Sequence, residues 1–170
     1  MSEPSARDHW GDDRTTFQRV YDVIVGTTEP VSAAVFAERA DCSETAARGA
    51  LEQLTEMGVA RRQAGRPATY RRNDSYFRWK RVESLADEHS PAALRDRVDD
   101  LIDRDREFQD RYGVPDPDAV GTDDLAVDDH DELHDRWDDL REWRTVRRDI
   151  RVLRDAVDRA ESRTDDGAVA

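Results

Sequence analysis

Apolar residues recur every three or four positions in the first part of the chain, which is the spacing of helices that face a core. This pattern predicts a first helix from Asp12 or Asp13 to Gly26, a short second helix after Ser32, and a third from Ser43 to Met57. Ser43 is expected to cap the third helix. Two faces are predicted for that helix, a buried one of Ala46, Ala50, Leu51 and Leu54 and an outward one of Thr45, Arg48, Gly49 and Glu52.

The pattern changes after Gly58, where two short extended runs replace the helical spacing. Residues 59–64 and 68–72 flank a turn of Gly65, Arg66 and Pro67, and two such runs joined by a Gly/Pro turn predict a β-hairpin. Helices followed by a hairpin in this order are typical of a winged helix-turn-helix. The fold class predicted is therefore mainly α with a small β-hairpin wing, and with long C-terminal helices.

The rest of the chain is predicted to be helical, apart from one acidic loop. A helix over 74–90 leaves the wing, a second runs from Pro91 to Tyr112, and a last one runs from about Asp131 to Ser162. The predicted organisation is a flexible N-terminus over 1–11 with Trp10 near the first helix, a winged-helix DNA-binding domain over 12–89, a helical dimerisation or interaction region over 90–162 that contains the acidic loop 113–129, and a disordered tail over 163–170.

Apolar residues in the last helix alternate in steps of three and four, which is the repeat of helices that pack side by side. We predict that this seam holds a homodimer through Trp143, Val146, Ile150, Leu153 and Val157. The alternative is that the last helix folds back on the 90–112 helix of its own chain as an antiparallel pair.

Charge is distributed unevenly along the chain. The 170 residues contain 28 Asp and 12 Glu against 26 Arg and a single lysine, Lys80, with a net charge of −13. Abundant short carboxylates with almost no lysine resemble proteins of halophiles that accumulate salt, although an acidic protein of an ordinary cell is the alternative. Between Gly58 and Arg81 the net charge is instead +7, while residues 82–170 carry −14. A basic segment in so acidic a protein predicts a polyanion partner.

Double-stranded DNA is the partner that this segment and the third helix favour together. The outward face of the third helix is expected to enter the major groove, and Arg66 at the hairpin tip is expected to reach a minor groove. The predicted DNA-binding residues are Ser43, Thr45, Arg48, Arg61, Arg62, Arg66, Arg71 and Arg72.

Three runs of residues carry a resemblance to a known family. They are 32–40 (SAAVFAERA), 43–59 with its SETAAR start and MGV end, and 65–73 (GRPATYRRN). Over about residues 10–80 the chain resembles the ArsR/MarR-type winged-helix regulators common in haloarchaea. The resemblance implies a transcription regulator whose third helix and wing contact DNA. It does not imply metal sensing, because the paired cysteines of the metal-sensing members are missing.

Other functions are less well supported by the residues. His130 and His134 have the spacing of a zinc helix, but Asp131 stands where a metalloprotease has glutamate, so we expect no metal site. The sequence contains no phosphate-binding glycine loop and no nucleophile elbow, so we expect no cofactor and no enzymatic activity. Cys42 is expected to be a packed small residue rather than a redox sensor. No apolar run approaches the ~20 residues needed to cross a membrane, so a cytoplasmic protein is predicted. The sequence does not identify a small-molecule effector. A winged-helix scaffold for protein contacts and a nonspecific chromosome-architecture protein remain alternatives.

Overall fold

The structure is a computed structural model that describes residues 14–121 and 130–168, without the side chains of 130, 131 and 165–168. The predictions for residues 1–11 with Trp10, for part of the acidic loop (122–129) and for the end of the tail (169–170) lie outside the described residues. The chain is mainly helical with a small three-stranded antiparallel sheet, which confirms the predicted fold class. It divides into two compact units, residues 1–77 and 78–170.

The described part of the first unit, from residue 14 onward, contains three helices and the sheet. Its elements are α1 (Thr16–Gly26), β1 (Val31–Ser32), α2 (Ala33–Arg39), α3 (Glu44–Glu56), β2 (Ala60–Gln63) and β3 (Thr69–Arg72), followed by the start of α4 (Asp74–Glu88). The strand order is β1-β3-β2, so β2 and β3 form the predicted hairpin. Strand β1 was not predicted, because it is only two residues long. It pairs Val31 with Tyr70 and Ser32 with Thr69.

Hydrogen bonds at the helix ends explain where α1 and α3 begin. Thr15 and Gln18 form a reciprocal capping box, in which Thr15 Oγ1 accepts from the Gln18 N–H at 3.2 Å. This cap starts α1 at Thr16, later than the predicted Asp12 or Asp13. As predicted, Ser43 caps α3, accepting a hydrogen bond from the Ala46 N–H at 3.2 Å. Gly58 follows α3 with a φ of +75°, a left-handed conformation that glycine adopts without steric cost.

One apolar core holds the first unit together. Its largest fully buried side chains are Val20, Ile24, Phe36, Leu51, Leu54 and Val59. On α3 the prediction was wrong at one position, because Ala46 is exposed and Ala47 is buried. The buried set 47, 50, 51 and 54 follows the i, i+3, i+4, i+7 spacing of a single helix face, and Ala46 lies beside that face.

Three helices make up most of the second unit where the structure describes it. They are the part of α4 from Arg78 onward, α5 (Pro91–Tyr112) and α6 (His130–Ala168), with a short 3-10 turn at Pro117–Ala119. Helix α6 is therefore longer than predicted, continuing six residues past Ser162. The division at 77/78 also differs from the predicted boundary at 89/90, because Leu85 and Ala86 of α4 share a core with α5 and α6. No helix in the described ranges is long and apolar enough to cross a membrane.

The apolar seam of α6 is covered within its own chain. All five residues predicted to hold a dimer are buried, with Trp143 0% exposed, and they pack in two clusters with side chains of α5. Ion pairs joining Arg95 to Glu161 and Arg104 to Glu142 show that the two helices run antiparallel. The predicted dimer contact through Trp143, Val146, Ile150, Leu153 and Val157 is therefore corrected to the alternative, an antiparallel pair inside one chain. The physical reason is that α5 already removes this surface from water.

A carboxylate at the centre of this pair is held by three donors. Asp105 of α5 accepts hydrogen bonds from Trp143 Nε1 at 2.6 Å, from Arg147 Nε at 2.7 Å, and from the Gln109 side-chain amide. Burial raises the pKa of the Asp105 carboxyl, but the hydrogen bonds outweigh burial and the pKa lies below its usual range. The ionised form of Asp105 is thus part of the folded structure.

Replacing Asp105 by asparagine is expected to cost the second unit about 2–3 kcal/mol at neutral pH, because hydrogen bonds to a charged group are lost. A lowered pKa means that the stabilisation is complete above the unfolded-state value of about 3.9 and disappears as pH falls through the folded-state value. Urea unfolding of the parent and of Asp105→Asn, measured from neutral to acid pH, gives the free energy of unfolding of each. The difference between the two free energies should become smaller as the pH falls. The exposed neighbour Asp103 provides the control, Asp103→Asn, and an equal loss in both variants would contradict the prediction.

Candidate nucleic-acid interface

The outward face of α3 is exposed as predicted. Thr45, Arg48, Gly49 and Glu52 all lie opposite the buried residues of the helix. The Arg48 guanidinium contacts Glu44 one turn earlier, with Nη2 at 2.6 Å from Oε1, and the two side chains are 56% and 53% exposed. An ion pair this exposed is worth a few tenths of a kcal/mol, so Arg48 can exchange Glu44 for an external acceptor at small cost.

Ser43 lies at the N-terminal end of this face. Its hydroxyl oxygen accepts the capping bond from Ala46, which leaves the hydroxyl hydrogen available to donate. The first turn of a helix also carries partial positive charge from its unpaired N–H groups. Ser43 and Thr45 therefore lie where α3 offers donors to an anion.

Gly49 is placed in the middle of the exposed face, where the fold does not require a glycine. A Cβ atom built on it would meet nothing within 4 Å in the part of the chain that the structure describes. Glycine in a helix interior costs about 1 kcal/mol relative to alanine. The small size of Gly49 is therefore not explained by packing against a neighbouring helix of the described chain.

The register of the hairpin sets two arginines directly across from each other. Arg61 of β2 faces Arg71 of β3, so both side chains lie on the same face of the sheet. Like charges at directly opposed positions destabilise a strand pair. Each has one partner at the end of the hairpin: Arg61 Nε donates to Asn73 Oδ1 at 2.8 Å, and Arg71 lies 3.6 Å from an Asp74 carboxylate oxygen.

Asn73 anchors the hairpin and was not among the predicted site residues. Besides accepting from Arg61, its side-chain amide donates to the Gly58 carbonyl at 2.7 Å, and its backbone N–H donates to the Val59 carbonyl at 2.8 Å. These bonds join the two ends of the hairpin. A single asparagine after a predicted strand carries no pattern that would have revealed this role.

The tip of the hairpin exposes two further arginines. Arg62 and Arg66 are exposed, and Gly65 lies between them in the chain, directly before Arg66 and Pro67 of the turn. A Cβ at Gly65 would come within 2.9 Å of the Pro67 carbonyl oxygen, so this close backbone approach needs glycine. The tip therefore presents guanidinium groups on a tight turn.

Arg72 differs from the other predicted contact residues, because its guanidinium is bound within the first unit. It is half-buried, it donates to the Val25 carbonyl at 3.2 Å and to the Asp74 carboxylate at 2.6 Å, and it lies over the Phe77 ring at 5.8 Å. Its main role in the structure is to join β3 to α1 and to the start of α4.

The turn between α2 and α3 contains Asp41 and Cys42, and Cys42 bears on the redox hypothesis. Asp41 adopts a positive φ of 49°, and its carbonyl accepts a hydrogen bond from Arg19 at 3.2 Å. Cys42 is partly buried and packs against the core, as expected of a small residue at a turn. The prediction for the His130 and His134 pair lies outside the described residues, because these do not include the side chain of His130.

Together these elements define a mainly helical protein whose first unit is a winged helix-turn-helix, with arginines on the wing and an exposed face on α3. The chain belongs to a family described as a family of unknown function, DUF7342, whose model matches residues 14–161. No curated protein matches the chain, and no solved structure matches it.

Proposed function

We propose that this protein is a sequence-specific DNA-binding transcription regulator of the cytoplasm. In this proposal α3 enters the major groove and the wing contacts the backbone and an adjacent minor groove. No catalytic step is assigned to the chain. The kinship with ArsR/MarR-type regulators suggested by residues 32–73 is part of the same proposal.

The observation that carries the proposal is the opposed pair Arg61 and Arg71. Two guanidinium groups across one strand pair cost stability, and the rest of the chain supplies carboxylates in excess, with a net charge of −13. Their two partners provide one neutral contact, from Asn73, and one carboxylate, from Asp74, which lies 3.6 Å from Arg71 and also binds Arg72 at 2.6 Å. A phosphate backbone would neutralise such a pair and would release counterions on binding.

The exposed face of α3 adds support for base recognition. Arg48 has the planar fork that suits guanine in the major groove, and the Thr45 methyl suits a thymine methyl. Both belong to one helix face, on which Gly49 leaves room for a close approach. Contacts of this kind distinguish sequences, whereas the wing arginines are expected to contribute affinity on any duplex.

We propose further that the regulator acts as a homodimer on a two-fold operator, with half-sites about one helical turn apart or a multiple of it. Because the α6 seam is buried inside each chain, the contact between copies would use another surface. Light scattering of the full chain in concentrated potassium chloride tests this part, and a monomer at every concentration would refute it without affecting single-site DNA binding.

Selection of bound fragments from genomic DNA, followed by a gel shift on the enriched duplex and on a shuffled duplex, tests the main proposal. A regulator shifts the enriched duplex at concentrations where the shuffled one stays free. Equal shifts on both would indicate nonspecific chromosome architecture. Absence of any shift would favour the protein-contact scaffold and overturn the proposal.

Gly49→Ala is expected to raise the stability of the first unit by about 1 kcal/mol through helix propensity and to weaken operator binding. The added methyl group meets open space in the described chain, so its effect on binding would come from the DNA surface. Thermal unfolding and a gel-shift titration measure the two effects.

The double variant Ala46→Gly/Gly49→Ala provides the control for this prediction. It returns the helix propensity of α3 to the parental level, since Ala46 is exposed and close on the same helix. Binding should remain weak in the double variant if steric exclusion is the cause. Parental binding by Gly49→Ala would show that this face does not approach DNA closely.

A further inference from the structure

A groove in the second unit runs between α5 and α6 and has a volume of about 440 Å³. Its lining is unusual for this part of the chain, where carboxylates outnumber arginines two to one over residues 82–170. Among the described residues, the groove is lined by four guanidinium groups and one carboxylate. The lining residues are Ile102, Asp105, Arg106, Arg147, Ile150, Arg151 and Arg154.

Two of the four arginines are already engaged with carboxylates. Arg147 donates to Asp105 and to the Pro115 carbonyl. Arg106 contacts Asp103 at 2.9 Å, but the two side chains are 69% and 72% exposed, so that pair is weak. Asp105 is fully occupied by its three donors and has little capacity to neutralise a further cation.

The side chains of the other two, Arg151 and Arg154, make no hydrogen bond or ion pair within the described ranges 14–121 and 130–168. They lie three residues apart on α6 and so point from the same side of the helix. The apolar surface beside them comes from Ile150, which is 7% exposed, and from the half-buried Ile102. The groove thus combines an apolar floor with two open guanidinium groups at its edge.

We propose that this groove binds a small organic anion with an apolar body. The anionic end would accept hydrogen bonds from Arg151 and Arg154, whose planar forks match carboxylate or sulfonate oxygens. The apolar body would cover Ile102 and Ile150. The volume lies within the range of small-molecule sites, about 300–1,000 Å³. This proposal does not rest on DNA binding, because it concerns the second unit and a different class of ligand.

Titration of the full chain with the fluorescent anion anilinonaphthalene sulfonate, in concentrated potassium chloride, tests the site. We expect saturable binding at one site per chain, displaced by octanoate, and a shift of the Trp143 indole N–H resonance, since that group donates to Asp105 in the lining. In Arg151→Gln/Arg154→Gln the affinity should fall by about tenfold or more. The matched control Arg97→Gln/Arg141→Gln removes two exposed arginines of the second unit that do not line the groove, and it should bind like the parent.

Three results would overturn the proposal. They are unchanged binding in Arg151→Gln/Arg154→Gln, an equal loss in the control variant, and displacement by sulfate as effective as displacement by octanoate, which would show a counter-ion site without a role for the apolar floor. Near-ultraviolet circular dichroism checks that each variant is folded. The charge-conserving variant Arg151→Lys/Arg154→Lys should keep part of the affinity, because lysine retains the positive charge but lacks the planar fork.

Discussion

Replacing Arg61, Arg62, Arg66 and Arg71 with glutamate is expected to weaken DNA binding by about a thousandfold or more. Each substitution removes a cation from the proposed backbone contact and adds a like charge to it, and together such changes cost at least about 4 kcal/mol of binding free energy. The first unit should keep its fold, because these side chains are exposed or half-exposed. A gel-shift titration on the selected operator measures the loss.

Arg72 is left out of this variant because its substitution would test stability and binding together. Its guanidinium connects β3 to the Val25 carbonyl and to Asp74. A separate Arg72→Ala variant should lower the unfolding midpoint of the first unit, which the four wing substitutions should not do.

The control for net charge reverses four arginines of the second unit, Arg97, Arg141, Arg144 and Arg148, all of which are exposed. It changes the formal charge of the protein by the same amount. Since the proposed contact surface is untouched, the operator affinity should fall by much less than in the wing variant. Equal losses in the two variants would mean that overall repulsion, not the wing, decides binding.

The second large effect is expected in the antiparallel pair of α5 and α6, where Trp143→Ala should destabilise the second unit by about 3–5 kcal/mol. Trp143 is fully buried and stacks on Phe108 and Tyr112 with ring centroids 5.7 and 6.0 Å away. Its removal leaves a cavity and also deprives the Asp105 carboxylate of one donor. Urea unfolding followed by circular dichroism measures the loss.

Trp137→Ala provides the matched control, since Trp137 lies on the same helix but is 47% exposed. Its substitution should cost far less, within about 1 kcal/mol. The unfolding midpoint of the parent should also be independent of protein concentration for this transition. A midpoint that rises with concentration would indicate that a second chain covers the seam, because association stabilises the folded state by mass action.

Local interactions explain which elements could be predicted from the sequence. Helix α3 has its cap residue at Ser43, its apolar residues at helical spacing and a glycine at its end, and each acts within a few residues. The hairpin has two extended runs and a Gly/Pro turn, which also act locally. For the same reason, local patterns were enough to predict that Thr45, Arg48 and the exposed wing arginines lie on the surface.

The tertiary structure decided what depends on residues distant in sequence. Strand β1 exists because two residues pair with β3 almost forty positions away, and Arg72 turned inward because the Val25 carbonyl lies within reach of it. The heptad-like spacing of the apolar residues in α6 predicts that another helix covers them. That spacing is the same whether the covering helix belongs to another chain or to the same chain. Only the packing of α5 against Trp143, Ile150 and Leu153 identified the covering helix as part of the same chain.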